Sequence, residues 1–392
     1  TEWYGTGSMR GLEMIETLNM RNMKKIALLM STCSILFVDC SAPVEMQTAS
    51  LDFEQQVAWE TVDEHMHIDS LVCISCKDAF VAKFDKMIPC GDNILVMDGM
   101  QQAVFKIDMK TKSVSKFIDN IGAAKSEYMS ITDIDMDKDE NILLYDSESR
   151  KINVYDNSGH YVRTVNAVCG TSIAVSEKGD IGINTGLLED EQIVVYSSDG
   201  KQLQQAQSDI TYPNFSFDNI RGIARWNDSY IFSEPFDYHL YGFSGSSIYP
   251  IAELDPGDKR CDVEKLKNMD IAACRDAVIK ATDKILFFNN LNVANDKIFL
   301  STDMNDQILY DVDKNNSIIL SNIEPPYNIL FSTPVFTGKD GQFCTMTTNS
   351  NIVNGYMPSV DARGVKNPKL KVMQKDIYDD NSCFWILVGK IK

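Results

Sequence analysis

The chain has 392 residues, 44% of them hydrophobic, and sets 37 Lys plus Arg against 56 Asp plus Glu for a formal charge of -19. That supplies enough apolar side chain for a packed core and excludes wholesale disorder, while the length alone does not force a division into several domains. A surface this acidic repels phosphate backbones and anionic headgroups, which excludes nucleic acid as an expected partner and membrane binding through a basic face.

Residues 1–22 read as an upstream extension or fragment, because a charged Met23-Lys24-Lys25 and an apolar run from Ile26 to Val38 follow them. A run of that length matches a signal peptide and is too short to span a bilayer, so residues 23–39 are assigned to export. Cys40, followed by Ser41 and Ala42, is the expected lipid-attachment residue, with simple cleavage or Cys33 as the competing readings. The expected location is the outer membrane or periplasm, with membrane contact only through that lipid. Residues 40–70 are expected to form a tether. Within it His65 and His67 would share one face of a strand, but no third ligand of suitable spacing appears, and no metal is expected. Cys73-Ile-Ser-Cys76 lies in a strand-like segment and not at a helix start, where a thiolate would be stabilised, so a redox or zinc role is not favoured.

From here the dominant signal is a recurring aromatic strand: Phe105, Tyr155, Tyr196, Tyr241 and Tyr310 each sit in a short apolar run after a polar turn, at steps of 50, 41, 45 and 69 residues. A period in the forties is that of a four-stranded propeller blade. The second copy is visible almost whole, as four runs between Ile131 and Val165 separated by Asp, Asn, Ser and Gly, which describes an antiparallel meander. Similar passes cover about 83–118, 171–207, 219–252 and 284–321. The long step has its own cause: Val263, Leu266, Met269, Ala273, Ala277 and Ala281 recur every three or four residues, which predicts one amphipathic helix near 262–282, capped by Asp262. A sixth blade is then expected from strands in Ile329 to Thr337, Gln342 to Thr348 and Ser382 to Val388, closed by Leu71 to Ser75 from the other end of the chain. The predicted fold is all-β: a six-bladed β-propeller of four-stranded antiparallel blades over residues 71–392.

Two stretches carry a resemblance. The run Ile121-Gly122 to Glu127-Tyr128, leading into the strand from Ile131, is similar to the Gly-x-Gly-Pro-x-Glu-Tyr junction of six-bladed, NHL-like propeller lipoproteins of gut-type anaerobic gram-negative bacteria. The ending Asp379-Asp380-Asn381-Ser382 before an apolar strand and Lys390-Ile391-Lys392 resembles that family's Asn-Pro-plus-strand terminus. Ala123, Ala124 and Lys125 replace the Gly-Pro element, and Ser382 replaces the usual proline. The resemblance implies architecture and location more than activity, since related propellers include enzymes and binding modules alike.

No catalytic motif of comparable specificity is present. Asp133-Ile-Asp135-Met-Asp137-Lys-Asp139 lacks the glycine and the glutamate of a calcium loop and reads as a strand with outward carboxylates running into a turn, and Asp311 to Asn316 reads as turn chemistry. Four histidines and no Gly-x-Ser-x-Gly elbow leave little from which to assemble a triad. Propellers bind at channel ends, where inner strands converge. The inner-strand candidates are Lys83, Arg221, Arg225, Trp226, Asn289 and Asn290, a mixture of charge, amide and aromatic surface suited to a sugar or a peptide. The expectation is a non-catalytic envelope lipoprotein binding a glycan, peptide or envelope protein with no cofactor; the alternative is a propeller lyase or hydrolase with a channel-centred metal.

Overall fold

A four-stranded antiparallel meander recurs through the computed structural model, which describes residues 46–392 apart from 187, 208–219, 228 and 373–382. Cys40, the signal peptide and the upstream extension lie outside the described residues. Five blades follow one another over 86–118, 133–166, 172–206, 223–255 and 288–319. The sixth is composite: Phe336–Thr337, Gln342–Thr348 and Cys383–Ile391 pair in that order, and Met66–Ser75 from the other end of the chain forms its outer strand. The innermost strands are Lys86–Cys90, Asp133–Met136, Ser172–Val175, Ile223–Trp226, Phe288–Ala294 and Phe336–Thr337, and each adjoins the next until the last meets the first. The ring therefore closes with six members.

Its stability comes from the spaces between blades. Both faces of each sheet's middle strands are covered, so those strands read as continuous apolar runs whose alternate residues serve different neighbours. In Asn93–Asp98, Ile94 and Val96 pack toward blade 6 while Leu95 and Met97 pack toward blade 2. Six such interblade clusters surround the axis, and a seventh, smaller one lies under the helical insertion. The recurring aromatics obey one rule: each lies on the third strand of its blade and faces the preceding blade. Blade 6 follows the rule with Trp385, which is buried against blade 5.

Four local expectations are corrected. The described part of the tether, 46–70, is folded: Gln47–Ser50 adds a fifth, parallel strand to the outer edge of blade 4, where unpaired backbone groups were available. Phe53 lies under the Lys259 ammonium at 4.0 Å, and the closing strand begins at Met66, not Leu71. The insertion is two helices, Val263–Lys267 and Ile271–Lys280, because Asp270 restarts the helix by accepting from the Ala273 amide, while Asp262 caps nothing. Only Phe336–Thr337 of the stretch from Ile329 is strand; Tyr327–Phe331 is a 3-10 turn that buries Leu330 and Phe331 against blade 6. His65 and His67 do not share a face, since the helix Trp59–His65 ends between them. His65 is buried 3.4 Å from Asp311, and that burial pushes its imidazole below the usual range, whereas His67 is exposed beside Lys369.

Candidate functional site

All six inner strands run the same way along the axis, so the ring has an upper face, where they begin, and a lower face, where they end. The lower face is made of hairpin turns such as 91–92, 137–141, 176–180 and 295–296, none longer than five residues. Among the described residues, the upper face carries the long connections 76–85, 119–132, 256–287 and 320–335, together with 220–222 and 349–372. Among the described residues, seven of the eleven large exposed hydrophobic side chains, Met100, Ile271 and Phe80 foremost, lie on its loops, and the lower turns hold none.

The upper channel mouth is closed by a charged network. Lys86 Nζ donates to both carboxylate oxygens of Asp133, at 3.0 and 3.1 Å, and Lys83 pairs with Asp85 at 2.7 Å. Arg221, from the connection entering blade 4, reaches across the axis to within 3.8 Å of Asp133 on blade 2 and 3.9 Å of Asp85 on blade 1. Its own backbone amide is held by Asn289 Oδ1 at 2.6 Å. Next to it the inner strand of blade 5 bulges: the pairing register shifts between Asn289 and Asn292, and Asn290 takes a left-handed φ of 52°. Asparagine tolerates that conformation better than most residues, and bulges of this kind re-aim side chains at the rims of sites.

Asp133 and Asp135 do not point outward as expected. Inner strands have a free edge facing the channel, and its amides must be satisfied. Asp133 accepts from the Ile173 amide at 2.9 Å and Asp135 from the Val175 amide at 2.7 Å, stitching blade 2 to blade 3. Burial pushes the Asp135 carboxyl up, against the opposing pull of Lys86. The rest of that run behaves as a turn, with Asp137 accepting from the Asp139 and Asn141 amides.

Below this network the channel holds a chamber of about 90 Å³ lined by Lys86, Asp135, Arg225, Lys339 and inner-strand residues such as Ile173 and Leu291. At its lower end Lys339 crosses from blade 6 to donate to the Lys138 carbonyl on blade 2 at 2.7 Å. Gly338 is required there, because a Cβ would stand 2.3 Å from the Pro89 carbonyl of blade 1.

The six expected mouth residues therefore separate. Lys83, Arg221, Asn289 and Asn290 converge at the upper mouth. Arg225 and Trp226 lie at the lower end, where Arg225 is exposed and the Trp226 indole donates to Asp296 at 3.4 Å across the blade 4–5 junction. Sequence reasoning missed Asp85, Lys86 and Asp133 as site residues; the available signal was a charged residue inside an otherwise apolar inner strand. Among the described residues, no group of three or more His, Cys, Asp or Glu is placed to hold a metal ion, and the channel carboxylates already face lysine, arginine or backbone amides. Among the described residues, Cys90, Cys169, Cys261, Cys274 and Cys344 are free thiols.

The family model described as DUF5128, 6-bladed beta-propeller, matches residues 52–292. The chain belongs to this family. Among solved structures, a Bacteroides fragilis NCTC 9343 protein described as exported superposes on it with a TM-score of 0.62 at 12% identity, over 88% of this chain and 99% of that one. A member of the DUF4221 family from Bacteroides vulgatus ATCC 8482 does so with a TM-score of 0.52 at 11% identity, over 83% and 98% of the two chains. At such identities the likeness is one of fold. No protein of curated function matches the chain in sequence. For this DUF5128 member the junction at 121–128 forms the upper connection between blades 1 and 2. There the Gly122 amide donates to the Tyr128 carbonyl at 2.9 Å and the Glu127 carboxylate packs where a Cβ of Gly122 would stand.

Proposed function

We propose that this DUF5128 propeller is an exported, non-catalytic binding protein, held by a lipid on Cys40, that takes a glycan, peptide or envelope protein on its upper face. The observation that carries the reading is the asymmetry of the two faces: long connections and exposed apolar side chains are concentrated on one, and minimal turns make the other. Exposed apolar clusters rimmed by polar groups mark interaction surfaces, because isolated monomers gain nothing from keeping them in water. Export is supported by the signal-peptide-like 23–39 and by the description of the similar Bacteroides fragilis protein.

The test is a binding screen of the purified chain against defined glycan and peptide arrays, repeated with Phe80→Glu plus Met100→Glu on the upper face and with Val162→Glu plus Leu203→Glu on outer blade strands. The proposal predicts that bound probes lose at least about tenfold in affinity with the first pair, roughly the 1.4 kcal/mol that a tenfold change represents, and are unaffected by the second. Retention of binding by the upper-face pair, or cleavage of a bound probe detected by mass spectrometry, would contradict it.

A further inference from the structure

Among the described residues, the buried side-chain atoms that lack a hydrogen-bond partner include Arg221 Nε, Ser233 Oγ and Asn290 Oδ1, all at the upper ends of blades 4 and 5. Arg221 is the most consequential. Its side chain is 9% exposed, yet the nearest carboxylate oxygens, at 3.8 and 3.9 Å, lie beyond hydrogen-bond distance. Neither carboxylate is free to move toward it. Asp133 is held by Lys86 and by the Ile134 and Ile173 amides, and Asp85 by Lys83 and the Gly99 amide. Lys86 and Lys83 already engage these two aspartates, so the guanidinium meets them only as long ion pairs and its Nε has no hydrogen-bond partner. Burying a charge without such bonds is unfavourable, and a native site that does so is completed by something else.

We infer that Arg221 anchors a carboxylate carried by an acidic sugar, such as a uronic acid, bound at the upper mouth. This rests on the binding reading given above and names the ligand class of that face. A carboxylate matches the guanidinium fork in two parallel hydrogen bonds, which a lysine could not provide. The Asn290 side-chain amide donates to Ser301 Oγ at 2.9 Å, which leaves its buried Oδ1 as an acceptor of the kind that bonds a sugar hydroxyl. An acidic peptide is the poorer match. Peptides add to sheets through free edge amides, and the inner-edge amides of Ile173 and Val175 beside the mouth are already taken by Asp133 and Asp135.

The experiment is calorimetric titration at fixed ionic strength with trigalacturonate, with neutral trigalactose, and with an acetylated, amidated poly-glutamate hexapeptide. The proteins are the wild type, Arg221→Gln, Arg221→Lys and, as a control at the opposite mouth, Arg225→Gln. The expected result is binding of trigalacturonate to the wild type and to Arg225→Gln, weakened at least tenfold by Arg221→Gln and also weakened by Arg221→Lys, which keeps the charge and loses the fork. Competition of acetate with trigalacturonate on the wild type needs no variant and is expected as well. Trigalacturonate binding that is indifferent to Arg221, or binding of the hexapeptide without trigalacturonate, overturns the inference. A neutral glycan that binds, is lost with Phe80→Glu plus Met100→Glu and ignores Arg221→Gln would overturn the acidic-sugar assignment while leaving the binding role of the face standing.

Discussion

Asp133 shows how a single side chain can be structural and site-forming together. One carboxylate satisfies a backbone amide on the next blade, neutralises Lys86 and leaves Arg221 just out of reach. Alternation in the sequence places Asp133 and Asp135 on one face of their strand, but period two cannot say whether that face is the channel or the solvent. The direction is set by the ring, which is why these residues were illegible as site residues while Arg221 and the Asn289-Asn290 pair were legible as polar interruptions. A second polar group away from the mouth makes a pH prediction. The His239 ring bonds Asp237, whose other oxygen accepts from the Tyr241 hydroxyl at 2.8 Å, and this hydrogen bond raises the imidazole above its ordinary 6.5 despite partial burial. A raised folded value means that the stabilisation is complete below pH 6.5 and is lost as pH rises through the folded value. The wild type should therefore exceed His239→Gln in melting temperature by more at pH 6 than at pH 9, measured by calorimetry; an equal gap at both would show that the pair carries no proton-linked stability.

At the scale of elements, the blades were legible because the second and third strands of each are largely apolar and the turns between them polar, and the five aromatic copies fall on equivalent third strands. Trp385 escaped notice as the sixth copy because the 349–382 connection stretches its interval far beyond the period. The same limit explains the helical insertion. A spacing of three and four fits one helix across 262–282, yet the break at 268–270 depends on which aspartate finds a free amide, a matter of geometry. Asp270 caps a helix and Asp262 makes only an exposed pair with Lys265. Asp270→Ala should cost about 1 kcal/mol, close to 2 °C in melting temperature for a domain at least this large, whereas Asp262→Ala should change stability little, since exposed ion pairs contribute about 0–1 kcal/mol. Chemical and thermal unfolding of the two variants side by side checks the assignment, and a larger loss for Asp262→Ala would reverse it.

At the scale of the molecule, the ring is held shut by strands from both ends of the described chain: Met66–Ser75 pairs along the whole length of Cys383–Ile391. The segment before it binds blade 4 at Gln47–Ser50 and crosses to blade 5, where the Thr48 and Ser50 carbonyls accept from Asn315 and Ser317. Closure gives every blade the same four-strand core, and the upper rim is where inserted connections, exposed hydrophobics and the Arg221 mouth coincide. Function was the least legible level, because loops are written without periodicity and the residues of the mouth come from positions as distant as Lys83 and Asn290. Hydrogen-exchange mass spectrometry of the protein with and without a probe from the binding screen tests the central claim most directly. The account predicts slowed exchange in the upper connections 76–85, 99–102, 119–132 and 185–192, with the lower turns 137–141 and 176–180 unchanged. Protection confined to those lower turns would contradict it.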